Sequence, residues 1–67
     1  MADLEKLHAQ MSNVIEVMNQ RIKDDFKPEK HIGFVWAIAW VAHRLDFIDV
    51  RERALQIMAD ARKKKEG

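Results

Sequence analysis

Nine consecutive apolar residues, Phe34 to Ala42 (FVWAIAWVA), include two tryptophans and sit in a 67-residue chain in which 34% of residues are charged. The apolar stretch from Ile32 to Ala42 would rise about 16 Å as a helix, roughly half the ~30 Å hydrocarbon core of a bilayer, so no membrane span is expected. WAIAW also alternates large and small like a strand, but a lone strand has nothing to pair with. The run is therefore expected to be helical, and its side chains need a cover from this chain or from another.

Ahead of it, Leu4, Leu7, Met11, Val14, Ile15, Met18, Ile22 and Phe26 recur at spacings of three and four, which places them on one helical stripe. Glu5, Ser12, Asn13, Glu16, Asn19, Gln20 and Lys23 occupy the other face, with Val17 as an exposed apolar exception. Pro28 disfavours helix at Lys27 and has a suitable φ for a first helical turn. The expected architecture is all-α, a single domain over 1–67: a helix over about 3–26, a turn at 26–28 and a helix over about 28–64. These two would form an antiparallel αα-hairpin. Asp49 and Glu52 have capping-box spacing and raise a break near 46–49. The continuous helix is preferred, because Phe34, Ile38, Val41, Leu45 and Ile48 keep helical spacing through that region. The basic tail RKKK suits the negative end of a helix dipole.

Read as one helix, residues 28–64 carry two apolar faces. Phe34, Ile38, Val41, Leu45, Ile48 and Leu55 form one; Trp36, Trp40, Phe47, Ala54 and Met58 form the other. The first helix can cover only one of them. A bare patch with two Trp and a Phe exceeds what soluble monomers usually expose, and a core this small rarely supplies more than ~3–5 kcal/mol. A homodimer assembled as a four-helix bundle is therefore expected. The chain has no Cys, which excludes disulfides and thiolate zinc sites, and a reducing cytoplasmic setting is expected. Asp3, Glu5 and Lys6 stand where a signal peptide would be apolar, so export is not expected.

Little here points to chemistry. Ser12 is the single serine, and Thr, Tyr and Gly-rich loops are absent, which leaves no nucleophile with a base and no phosphate cradle. Glu5 and His8 form a Glu-x-x-His, the pattern that di-iron bundles use when it projects inward, and Glu52 is expected opposite. An incidental ion pair of Glu52 with His8 or Lys6 is the preferred reading, so no metal, cofactor or catalytic residue is expected. His31 and His43 are expected as half-buried polar edges of the apolar run. Net charge is only +1, and Lys and Arg outside the tail are interleaved with acids, so nucleic-acid binding is the alternative rather than the leading function.

The signature FKPEK between two amphipathic stretches, followed by FVWAIAW, gives the chain a likeness in type to small phage-encoded inhibitors of host machinery. Quorum-sensing anti-activators and anti-CRISPR proteins are examples. That resemblance implies stoichiometric occlusion of a protein surface, without catalysis. The residues point the same way: Trp36, Trp40 and Phe47 as anchors, with Arg44 and Arg51 as orienting donors, form the expected partner or dimer interface.

Overall fold

The computed structural model describes residues 2–25 and 27–66, with side chains over 3–25 and 27–63. Three helices follow one another: α1 (Ala2–Asp24), α2 (Glu29–Arg44) and α3 (Ile48–Glu66), with no strand among the described residues. Acids in the first turn of α1 (Asp3, Glu5) and bases in its last (Arg21, Lys23) complement the helix dipole. Its stripe buries as expected at Met11, Ile15 and Ile22, while Leu4, Leu7 and Val17 stay exposed. Phe26, the expected last member of that stripe, lies outside the described residues.

The first connection is organised by Asp25 and Pro28. Asp25 accepts the Lys27 backbone N–H and pairs with His31 Nε2, each at 3.0 Å. The Pro28 carbonyl accepts the N–H groups of His31 and Ile32 at 2.9 and 3.0 Å, which starts α2 at the next residue. The side chain of His31, half-buried as expected, fastens α2 back onto the end of α1.

The second connection corrects the continuous helix. At Leu45 the chain leaves α2, and Asp46 adopts φ 59°, the left-handed conformation. The Phe47 N–H donates to the Ala42 carbonyl at 2.9 Å and the Asp46 N–H to the His43 carbonyl at 3.3 Å. This nested pair is a Schellman motif, usually completed by glycine; here Asp, whose short side chain tolerates the left-handed region, takes that place. α3 then begins at Ile48 with Asp49 in its first turn, so the capping-box region does start a third helix. Asp46→Gly is expected to remove backbone strain and raise stability by about 0.5–1 kcal/mol, read as a higher urea midpoint at unchanged slope.

Folding back at Asp46 lets α3 lie along α2, the most extensive helix contact in the molecule, while α1 packs on both. Val35, Ala39 and Ala42 of α2 bury with Val50, Ala54, Ile57 and Ala61 of α3 and the α1 stripe. Alanine at four of these positions allows close approach of the helix backbones. Ile15, Val35, Val50 and Ile57 supply the bulk, each at 2% exposure or less. The buried stripe of α2 is therefore Val35, Ala39 and Ala42. It runs between the two faces the sequence suggested, leaving Phe34 and Val41 on one flank and Trp36 and Trp40 on the other. An uninterrupted helix would leave the apolar stripe of α3 without these partners.

Candidate partner-binding surface

α2 is short of depth for the aromatic residues it carries. Its buried positions lie at i, i+4 and i+7, and a helix turns 100° per residue, so Trp36 and Trp40, each one residue past a buried position, are carried to the rim. They are 61% and 56% exposed. With Ala39 and His43 of α2 and Arg51 and Leu55 of α3 they line one shallow groove along the α2–α3 seam.

Charge is gathered at one end of it. The Arg44 guanidinium lies over the Trp40 ring, 5.6 Å from its centroid, a cation–π contact across one helical turn. Arg51 Nη1 donates to His43 Nδ1 at 3.0 Å. Arg51 also meets Glu52 at 3.6 Å, and its Nε is buried without a hydrogen-bond partner. The guanidinium is thus held against the groove. His43 itself is exposed rather than half-buried.

Four of the five residues singled out from sequence, Trp36, Trp40, Arg44 and Arg51, come together here. Phe47 does not. It is half-buried against the core on the α1 side, its ring edge-on to His8 at 5.0 Å, beside Leu4 and Glu5. Leu55 joins the tryptophans because the turn at Asp46 reorients α3; on one continuous helix it fell on the Phe34 face.

His8 finds Asp49 rather than Glu52, at 2.7 and 2.9 Å to the two carboxylate oxygens. Glu52 instead pairs with Arg51. Glu5, His8 and Glu52 are not brought together, and no group of three His, Asp or Glu among the described residues is placed to hold a metal. The His8 hydrogen bond, with backbone N–H groups at the start of α3 adding to it, holds the Asp49 carboxyl below the usual aspartate range. Asp25 is lowered as well, first by the Lys27 N–H and then by His31. Along the α1–α3 seam Arg53 Nε and Nη2 donate to Glu16 at 2.6 and 2.8 Å, a two-pronged pair that lowers the Glu16 pKa and raises that of Arg53.

A carboxylate whose folded pKa is depressed stabilises the fold above its unfolded value, and that contribution disappears as pH falls through the folded value. The Glu16 contribution should therefore be intact at neutral pH and lost below about pH 4.3. Both partners are nearly half exposed, which limits the pair to about 0.5–1 kcal/mol. Chemical denaturation at pH 7 and pH 3 should show Glu16→Gln losing less stability on acidification than the parent chain. Equal losses would mean that the pair contributes nothing.

No family model, curated protein or solved structure matches this chain. The groove and its chemistry therefore carry the functional reading.

Proposed function

We propose that this chain is a non-enzymatic, cytoplasmic, homodimeric helical protein that regulates or inhibits a protein partner by stoichiometric binding. The observation that carries the reading is the exposure of Trp36 and Trp40 in one groove, flanked by Arg44 and Arg51. Two tryptophans at the rim of so small a protein cost solubility. Trp and Arg are also the residue types that dominate binding energy at the centre of protein interfaces. A helix presenting aromatic anchors at i and i+4 suits a hydrophobic groove or a flat apolar patch on the partner. This is occlusion of the kind performed by the phage-encoded inhibitors whose size and build the chain resembles.

The test is capture of the partner on tagged protein from its native host, followed by a binding isotherm at rising salt. Aromatic-anchored protein binding should fall only a few-fold between 50 and 200 mM salt. A loss of about a thousandfold or more, and a nucleic-acid component in the captured material, would replace this reading with nucleic-acid binding through the basic helix ends.

A further inference from the structure

The tryptophan groove encloses about 190 Å³, and no acid lines it. Drug-sized ligands occupy pockets of roughly 300–1,000 Å³, whereas an apolar cavity of ~150 Å³ already accepts a benzene ring. The space therefore suits one large apolar side chain of a macromolecule better than a free small molecule. Its walls are two helices, which satisfy their backbone groups internally and offer no sheet edge. A segment that docks here has to satisfy its own backbone as well, and a helix does so.

Arg44 sets the charge of that segment. Its guanidinium lies on the Trp40 ring and, among the described residues, makes no ion pair or side-chain hydrogen bond. Glu52 meets Arg51 at 3.6 Å and leaves Arg44 without a counter-ion. Asp46, in the turn between the two arginines, forms no ion pair with either of them among the described residues.

We infer, on the protein-binding reading above, that the groove receives an amphipathic helix of the partner that carries an acidic side chain about one turn beyond its apolar anchor. The apolar side chain fills the space between Trp36, Trp40 and Leu55. A Glu or Asp one turn on, about 5.4 Å along the partner helix, reaches Arg44, which stands one turn beyond Trp40 on α2. The cation–π contact already holds the guanidinium beside the apolar space, so little side-chain freedom is lost when the carboxylate pairs with it. A Lys or Arg at the same place would meet Arg44 and Arg51 with like charge, which is costly in an interface. A nucleic-acid strand brings a phosphate with each nucleotide and needs a cationic track along the groove. The lining holds one arginine beside four apolar residues.

Both tryptophans of the chain line the groove, so its intrinsic fluorescence reads occupancy without a label. The probes are two synthetic helices without Trp, each of about 20 residues, which is long enough to be helical. They share one leucine stripe and carry either Glu or Lys at the positions flanking it; a single-stranded RNA oligonucleotide is the third probe. At about 50 mM salt, where surface charges are weakly screened, the Glu helix should bind the full chain at least about tenfold tighter than the Lys helix. Arg44→Gln should remove most of that preference and Arg44→Glu should reverse it, each with the helical circular dichroism spectrum retained. Arg21→Glu, in the last turn of α1, makes the same change in net charge and should leave the preference in place. Reversal by one charge is a result that misfolding does not produce. Equal affinities, a preference for the Lys helix or no response to either helix would overturn the inference alone, because the protein-binding reading stands or falls with the captured partner. Tighter binding of the RNA than of both helices would overturn the two together. A fluorescence change on merely concentrating the chain would put a second copy in the groove in place of a partner helix.

Discussion

Ile57→Ala is expected to abolish most of the folded population at room temperature. Ile57 is 1% exposed, on the stripe that α3 turns towards α1 and α2, and truncating a buried isoleucine to alanine costs about 2–5 kcal/mol. A core of this size supplies only ~3–5 kcal/mol in total, so the loss is comparable with the whole of it. The measurement is urea unfolding followed by helical circular dichroism. The contrasting variant is Ile48→Ala at the start of α3, where the side chain is 59% exposed and the expected loss is about 0.5 kcal/mol or less. Ala54→Leu tests the same stripe from the other side. Ala54 is completely buried, and overpacking a site of this kind costs about 1–3 kcal/mol. If Ile48→Ala were the more damaging change, the residues in helical register with Phe34 and Leu45 would be the buried ones. The turn at Asp46 would then be wrong.

That contrast marks where the sequence was legible and where it was not. The α1 stripe, the Pro28 boundary and the exposed Val17 follow from apolar spacing and from proline's fixed φ, both strong local signals. The second turn has a weak one. A Schellman motif is recognised in sequence chiefly by glycine, and here Asp46 occupies the left-handed position with no glycine near it. The spacing from Phe34 to Ile48 also ran through the turn without interruption. It follows the flank of α2 on which Phe34, Val41 and Leu45 stay exposed and only Ile38 is partly buried, so the register is not set by close packing.

The buried stripe was hard to see for a related reason. Ala39, Ala42, Ala54 and Ala61 carry little hydrophobic weight beside tryptophan and phenylalanine, yet small residues are what allow two helices to pack closely. The largest apolar side chains consequently stand outside the contact they seem to advertise. Trp36, Trp40, Arg44 and Arg51 were legible from helical spacing and residue type, because aromatic residues and arginine on neighbouring turns suit an interface. Leu55 could join them only once the direction of α3 was known. Phe47 does not share the face of the tryptophans because the helix that carries them ends at Arg44, three residues before it.

Replacing both tryptophans by alanine is expected to weaken partner binding at least about 30-fold per folded molecule, beyond what the two truncations cost in folding. The affinity figure follows from the ~2 kcal/mol or more that an interface anchor contributes, at about 1.4 kcal/mol per tenfold. The folding figure follows from exposure: at 61% and 56%, each ring has given up less than half of its surface to the protein. Of the up to ~250 Å² of a tryptophan about 100 Å² is then buried, and at roughly 25 cal/mol per Å² each truncation costs at most about 2.5 kcal/mol. Arg44 adds a smaller term, because its cation–π contact with Trp40 is exposed and worth about 0.5–1 kcal/mol. Phe47→Ala should show the opposite pattern. That ring packs on the core and against His8, so its loss should lower the urea midpoint clearly and leave affinity per folded molecule unchanged. Titration calorimetry against the captured partner, with the folded fraction of each variant measured beside it, separates the two effects. Full affinity in the double tryptophan variant would remove the α2–α3 groove from recognition, because no other contact there is large enough to replace two aromatic anchors.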